Sequence, residues 1–206
     1  MSGIQQTMFM YGQSAYQIAN SLRFRASASA YLNRTPGSAG NQQKWTWSGW
    51  VKRGDMTADR YIISAGNSSS DLFVLYFNGS TNAISANAKV SSTSHYIDGS
   101  AVYRDPSAWY HIVLVLDTTQ ATASNRIKLY VNGNQDITFT NSTQISQNAN
   151  LQINNTVAHN IGKDALNSYF FDGYMADINF IDGQALTPSY FGQFNSTTGV
   201  WQPIRY

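Results

Sequence analysis

The sequence lacks two residue types on which many active sites depend. None of its 206 residues is cysteine, which excludes disulfides, thiolate metal ligands and cysteine catalysis. All 11 acidic residues are aspartate, so every mechanism that needs a glutamate is excluded, and a strong helix former is missing. Charged residues make up only 12% of the chain, against roughly 25% in an average domain.

The sequence contains no run of basic residues that would indicate nucleic-acid binding, and no run of apolar residues that would indicate membrane insertion. The 13 Lys and Arg residues are scattered and the net charge is only +2, so we expect no nucleic-acid partner. No stretch approaches the roughly 20 apolar residues that span a bilayer, and we expect no membrane insertion. Residues 1–6 lack the basic and apolar regions of a signal peptide.

Amide and hydroxyl side chains dominate the composition instead. Asn, Gln, Ser and Thr account for 73 residues, about a third of the chain, and aromatic residues reach 14%. Such a polar surface, with β-branched and aromatic residues in short alternating segments, is typical of strands rather than helices. The chain therefore predicts an all-β fold.

The alternation of apolar and polar residues predicts where the strands lie. Residues 22–26 alternate, and in residues 45–52 Trp45, Trp47 and Val51 share one face with Gly49. Further short strands are predicted at residues 60–65, 72–78, 84–88, 126–131, 137–140, 151–153, 160–162 and 171–180, with turns at 78–79, 132–133 and 182–183. A polar loop is expected at 33–43. About ten strands without a βαβ pattern indicate an antiparallel β-sandwich or barrel.

The segment from Trp109 to Asp117 is apolar on both faces in its middle. This pattern favours a central strand between two layers, with Trp109 as a buried core residue. Near the end of the chain, Thr187 and Pro188 form an N-cap followed by proline, which predicts a short C-terminal helix carrying Tyr190 and Phe191.

Residues 1–20 differ from the rest of the chain. They contain no charged side chain and no sustained period, and they carry a cluster of adaptable apolar residues: Met8, Phe9, Met10, Tyr11 and Tyr16. A solvated, frayed terminus is one interpretation. We prefer the other, a docking arm, because a solvated tail usually carries more charge. The predicted organisation is an arm at 1–20 and one domain at 21–206.

Three segments carry a family resemblance: residues 45–52, the stretch Trp-Tyr-His-Ile-Val (109–113) through Leu-Tyr-Val-Asn-Gly (129–133), and Phe-Asp-Gly-Tyr-Met-Ala-Asp-Ile (171–178). In this order they resemble the laminin-G-like (pentraxin-like) branch of the concanavalin A-like lectin/glucanase superfamily. The resemblance covers residues 21–190. It implies a jelly roll, a β-sandwich of two curved antiparallel sheets.

A second resemblance concerns residues 1–6 and 171–188, which look like lectin-fold structural proteins of tailed bacteriophages. It implies a virion protein, in capsid or tail, that is assembled in the bacterial host cytoplasm with other virion proteins. A homo-oligomer is expected, because such proteins repeat symmetrically.

Catalysis is not expected. Glucanases of the superfamily use a pair of glutamates, and this chain has none. Aspartates can supply the two carboxyls of glycoside hydrolysis, but the close pairs in sequence fit turns or opposite strand faces. The histidines His95, His111 and His159 are isolated in sequence, and His111 is expected to be half-buried and structural.

The resemblance also implies a candidate calcium site, because laminin-G-like and pentraxin-like proteins bind Ca²⁺ at the sheet rim through Asp, Asn and backbone oxygens. Asp71, Asp117 and Asn160 are the candidate ligands. The alternative is that they cap turns, since Asp and Asn side chains bind the backbone of turns. No cofactor is expected to be required.

Glycan binding would use an exposed aromatic ring together with amide and hydroxyl partners. The candidate rings are Trp50, Tyr61, Tyr96, Tyr103 and Trp201. Two functions follow. The first is a non-enzymatic virion structural protein, a surface decoration or accessory component anchored by its arm. The alternative is a tail-associated, receptor-binding adhesin that recognises glycans of the host cell surface.

Overall fold

The computed structural model describes residues 16–136, 144–166 and 169–206, and the backbone of 139–142. It confirms the predicted all-β sandwich, with two large antiparallel sheets and short 3₁₀ turns. The strands are β1 (Leu22–Phe24), β2 (Leu32–Arg34), β3 (Lys44–Arg53), β4 (Arg60–Gly66), β5 (Leu72–Phe77), β6 (Ile84–Val90), β7 (Thr93–Gly99), β8 (Tyr110–Asp117), β9 (Ile127–Val131), β10 (Asn134–Gln135), β11 (Phe139–Ser142), β12 (His159–Ile161), β13 (Gly173–Asp182), β14 (Gly192–Phe194) and β15 (Trp201–Pro203).

The strands form two facing sheets and a hairpin. The six-stranded sheet has the order β1-β13-β3-β8-β9-β10, and the seven-stranded sheet has the order β11-β7-β6-β5-β4-β12-β2. Strands β14 and β15 pair with each other in a separate two-stranded sheet. Among the described residues, no helix is long and apolar enough to cross a membrane.

The core lies between the two sheets and confirms the alternation of β3. Trp45, Trp47 and Val51 are almost completely buried in it. The Trp45 ring meets Phe73 of the opposite sheet edge-on, with 5.3 Å between ring centroids. Period-2 strands place every second side chain in this layer, which leaves the alternate side chains for the outer faces.

Both faces of strand β8 are apolar and both are covered, which confirms the prediction of a strand between two layers. Ile112, Leu114 and Leu116 face the core, whereas Val113 and Val115 pack against Phe191 in a separate cluster. The chain after β13 thus covers the outer face of the six-stranded sheet. Thr46 of β3 fixes this covering segment, since its hydroxyl donates to the Gln184 carbonyl and accepts from the Leu186 amide, both at 2.8 Å.

Three local predictions were wrong. The segment after Thr187 is a 3₁₀ turn, Pro188–Tyr190, rather than a helix, and the Thr187 side chain makes no capping bond. Trp109 precedes β8 and is partly exposed, lining a cavity of about 280 Å³ with Ile18 and Trp50. Residues 151–153 form no strand, although both Leu151 and Ile153 are buried.

Several strands lie where none was predicted. Strand β2 falls partly in the expected polar loop, and β7, β14 and β15 were missed. Their sequences are polar or only three residues long, so a period-2 signal is weak. Of the arm, residues 1–15, including Met8, Phe9, Met10 and Tyr11, lie outside the described residues. Residues 16–20, which include Tyr16, form no strand, and the boundary at 20 stays a prediction.

Candidate functional site

Stacked tyrosines mark the outer face of the seven-stranded sheet. Tyr61 of β4 lies directly opposite Tyr76 of β5, and the two rings are parallel within 11°, with centroids 4.9 Å apart. Tyr169, from the loop before β13, stacks on the other side of Tyr61 at 5.5 Å. The Tyr169 side chain remains 46% exposed. The stack therefore extends from the middle of the sheet into solvent.

Polar side chains continue this row across the next two strands. Ser85 of β6 is opposite Tyr76 and is in turn paired with Asp98 of β7, while Asn87 is paired with Tyr96. These residues point outward because their neighbours Ile84, Ala86, Ala88 and Ile97 belong to the core. We call the set Tyr61, Tyr76, Ser85, Asn87, Tyr96, Asp98 and Tyr169 the tyrosine face.

An amide oxygen and a carboxylate oxygen of the tyrosine face have unfilled hydrogen-bonding capacity. Asn87 Oδ1 and Asp98 Oδ1 are buried and have no hydrogen-bond partner within the described part of the chain. A buried acceptor without a donor costs about 1–3 kcal/mol. A ligand that supplies donors here would therefore remove an existing cost.

The other half of the same sheet face is satisfied internally. Asn160 of β12 accepts from Asn33 Nδ2 at 2.8 Å and donates to Ser64 Oγ at 3.2 Å. Ser64 donates to the carbonyl of Lys163, in the loop that lies over these strands. The unpartnered acceptors of this sheet face therefore lie on β6 and β7, whereas the polar side chains on β4 and β12 bond each other or the neighbouring loop.

Burial raises the pKa of two tyrosines of the stack, Tyr61 and Tyr76. Burial first, and the negative charges of Asp98 and Asp59 after it, raise the pKa of Tyr76 to about 12. Burial also raises the pKa of Tyr61, with smaller contributions from Tyr76 and Asp59. At neutral pH both hydroxyls are therefore O–H donors beside carboxylate acceptors. This mixture of donors, acceptors and aromatic carbon suits a ligand with many hydroxyl groups.

The structure places the five predicted glycan-binding rings in three locations. Tyr61 and Tyr96 lie on the tyrosine face. Tyr103 is in the core, edge-on to Tyr110 at 5.2 Å, so the expectation that it is exposed was wrong. Trp50 lies buried on the outer face of the six-stranded sheet, whereas Trp201, on β15, belongs to the C-terminal segment that covers this face.

Trp50 and Trp201 hold His111 between them. The Trp50 ring stacks on the imidazole at 4.9 Å and the Trp201 ring at 5.9 Å. Trp201 Nε1 donates to His111 Nδ1 at 3.0 Å, so Nε2 carries the hydrogen and donates to Ser48 Oγ at 2.9 Å. His111 is 1% exposed, more buried than predicted, and burial lowers its pKa to about 4. This arrangement attaches the covering segment to the sheet.

The three candidate calcium ligands are not brought together. Asp117 lies in the six-stranded sheet, paired with Lys44 at 3.2 Å, and Asp71 accepts from the Ser91 amide at 2.8 Å. Asn160 lies in the seven-stranded sheet, where its side-chain amide is hydrogen-bonded to Asn33 and Ser64. Among the described residues no group of three or more His, Cys, Asp or Glu could hold a metal ion. Each candidate thus binds neighbouring groups of the chain, and calcium binding stays a prediction.

The sequence did not point to Tyr76, Asn87, Asp98 or Tyr169. Asn87 lies in a predicted strand, and its position opposite to Ala86 and Ala88 was a readable signal. Asp98 belongs to β7, which was missed, and Tyr169 reaches the stack through a loop. No period in the sequence places a loop residue on a sheet face.

The comparisons agree with this architecture. The family model described as the concanavalin A-like lectin/glucanases superfamily, of laminin G type, matches residues 26–189. No curated protein matches the chain in sequence.

Solved structures share the fold at low identity. A heptameric SAP-like pentraxin from Limulus polyphemus is 17% identical, covers 81% of this chain and 77% of its own, and has a TM-score of 0.56. The CBM40 module of a Ruminococcus gnavus sialidase, bound to α2,3 sialyllactose, is 16% identical over 79% of this chain and 96% of its own, with a TM-score of 0.52. Mouse laminin α1 domains LG4-5 are 10% identical over 85% of this chain and 47% of their own, with a TM-score of 0.55.

Proposed function

The chain belongs to the concanavalin A-like lectin/glucanases superfamily, and we propose that it is a non-enzymatic domain that binds glycans on its tyrosine face. The observation that carries the proposal is the pair of unpartnered buried acceptors, Asn87 Oδ1 and Asp98 Oδ1, next to the tyrosine stack. Sugar hydroxyls are donors of the right kind for both oxygens.

The charge of this face argues against other ligand classes. Asp59 and Asp98 both lie close enough to the Tyr76 hydroxyl to raise its pKa, so they bring negative charge to this face. That field repels the phosphates of nucleic acids and of acidic lipid surfaces. A neutral polyhydroxyl ligand satisfies the carboxylates without bringing a like charge.

The structural neighbours support a carbohydrate ligand in a general way. The Ruminococcus gnavus module is a carbohydrate-binding module bound to a sialylated sugar. Its identity to this chain is too low to transfer a ligand or a site, so the choice of glycan rests on the tyrosine face alone. The absence of glutamate supports a binding role without hydrolysis.

We place the domain on the virion of a tailed bacteriophage, as an adhesin for glycans of the host cell surface. The resemblance of residues 171–188 to phage structural proteins supports this location, and residues 1–20 are the proposed anchor. We also propose assembly as a homo-oligomer, in which several weak sites act together. A surface decoration or accessory protein without a ligand is the second candidate, and the same experiment separates the two.

The test is binding of the purified protein to an array of bacterial capsular and O-antigen glycans, followed by calorimetry on the best ligand. The Asp98→Asn substitution keeps the shape of the side chain and removes its charge, and Tyr169→Ala removes the exposed end of the stack. We expect each to weaken binding about tenfold or more. Tyr190→Ala, which alters an equally exposed tyrosine on the opposite side of the sandwich, is the matched control.

Two results would contradict the glycan proposal. One is the absence of any bound glycan, which leaves the decoration role. The other is a ligand whose affinity is unchanged in both Asp98→Asn and Tyr169→Ala. Melting curves of each variant show whether a lost affinity reflects a lost fold.

A further inference from the structure

A groove separate from the tyrosine face opens at the rim of the sandwich. It lies between β2, the edge strand of the seven-stranded sheet, and the end of β13 in the other sheet, and its volume is about 560 Å³. The loop after β2 forms its third side. Cavities of this size are typical of small-ligand sites. The groove and the tyrosine face have no residue in common.

One wall of the groove is a hydrogen-bonded polar cluster. Asp182 Oδ1 accepts from Asn154 Nδ2 at 2.6 Å and from the Asn41 amide at 2.9 Å. His159 fixes Asn154 in turn, because its Nε2 accepts the Asn154 amide hydrogen at 2.8 Å. Gly40 leaves room for this cluster, since a Cβ at position 40 would displace the side chains of Asn154 and Asp182.

The remaining groups of the groove have free capacity. Asp182 Oδ2 and the guanidinium of Arg34 have no hydrogen-bond or ion-pair partner among the residues that the structure describes. Arg34 lies on β2 directly opposite His159, at the groove. Phe180 is 38% exposed at the lining and packs from behind against Trp45, with centroids 5.8 Å apart. The groove thus offers a cation, an acceptor and an aromatic ring.

We infer that this rim groove binds a carboxylated sugar residue, such as a uronic acid, with its carboxylate on Arg34. The C–H face of the sugar packs on Phe180 and a sugar hydroxyl donates to Asp182 Oδ2. Guanidinium and carboxylate form charge-assisted and often bidentate hydrogen bonds. Two hydrogen-bond donors already stabilise the Asp182 carboxylate, so its charge repels the ligand only weakly. The Arg34 guanidinium has no such partner among the described residues, so its positive charge remains available to the ligand carboxylate.

The ligand chemistry differs from that of the tyrosine face, so the inference does not rest on the proposed function. The tyrosine face carries aspartates and favours a neutral glycan, whereas the groove carries the unpaired cation.

The experiment is an NMR titration of the ¹⁵N-labelled full chain with methyl β-D-glucuronoside and methyl β-D-glucoside, which differ only at the C6 carboxylate. We expect the amides of Gly40, Asn41 and Asn154 to shift, with roughly tenfold tighter binding of the glucuronoside. The Arg34→Gln substitution should abolish this preference, and Arg104→Gln, at an exposed loop arginine, should preserve it. Acetate should not shift these amides at the same concentration.

The inference is overturned by equal affinity for the two glycosides, by a preference that survives Arg34→Gln, or by acetate that binds as tightly as the glucuronoside. The Tyr169→Ala variant separates the two sites. It should leave glucuronoside binding unchanged even where it weakens a ligand of the tyrosine face. Shifts confined to the amides around Asn87 and Tyr96 would assign the ligand to the tyrosine face instead and refute the groove.

Discussion

We predict that the buried His111 makes the stability of this protein fall in mild acid. Its imidazole is neutral between Trp50 and Trp201, with Nδ1 accepting from Trp201 and Nε2 donating to Ser48. Protonation of Nδ1 would put two donors against each other at the Trp201 bond, in a site from which water is excluded. The folded state therefore resists protonation.

The sign and size of the stability change follow from the pKa values of His111 in the unfolded and folded states. Burial lowers the pKa of His111 from 6.5 to about 4, so between these pH values the unfolded chain binds the proton and the folded chain does not. The stabilisation is complete above pH 6.5 and is lost as the pH falls towards 4. At about 1.36 kcal/mol per pKa unit, the loss is about 3 kcal/mol. Burial also lowers the pKa of His159, which adds to the loss in the same direction.

The assay is urea unfolding, followed by tryptophan fluorescence, at half-unit steps from pH 7.5 to 4. Acid groups act in a separate window, since Asp55, with a pKa lowered to about 2, loses its contribution only below pH 4. His111→Gln should flatten most of the pH dependence, and His159→Gln should remove only the smaller part.

A direct titration covers the case in which His111→Gln does not fold. The ring proton resonances of His111 in the intact protein report its pKa in the folded state. A wild-type stability that is constant between pH 7 and 4.5, or a His111 resonance that titrates near 6.5, would refute the reasoning.

The remaining predictions concern packing. Trp47→Ala should cost about 3–5 kcal/mol in chemical denaturation and Trp109→Ala about 1 kcal/mol, because only Trp47 lies in the core; equal losses would contradict the placement of Trp109. Gly133→Ala should cost more than Gly183→Ala, because both have positive φ but only at Gly133 would a Cβ collide with the Trp201 ring. The strained backbone alone accounts for about 1 kcal/mol at each position, and equal midpoints would show that Trp201 moves freely.

Much of the architecture could be predicted because it depends on local alternation. Trp45, Trp47 and Val51 were correctly placed in the core, and the two apolar faces of β8 correctly indicated two covering layers. The turn at Asn132 and Gly133 was also correct, and both residues have positive φ. The family resemblance agreed with the model that matches residues 26–189.

The candidate site could be predicted only in part. Tyr61 and Tyr96 were named as candidate rings, and the structure places both on one sheet face, where glycan binding stays a prediction. Trp50 and Tyr103 were expected to be exposed, but each is buried by a segment distant in sequence. Trp109 was expected to be buried, but it lies one residue before its strand.

The sequence by itself determined the class of fold and the chemistry available to it. Without cysteine or glutamate, and with amides, hydroxyls and aromatic residues in short alternating segments, the chain could form only a β-rich domain without glutamate-dependent catalysis. These properties depend on composition and on neighbours along the chain. They do not depend on which strands pair.

Only the tertiary structure decided which outward faces remain open. The alternation of residues along a strand shows which side chains point away from the core, but not whether another segment of the chain covers them. Residues 184–206 cover His111 and Trp50 on one sheet, whereas no described segment supplies donors to Asn87 and Asp98 on the other. Strand order brings Arg34 and Phe180, 146 positions apart, to the same groove. Such long-range packing is set by the pairing of sheets, which a local pattern does not encode.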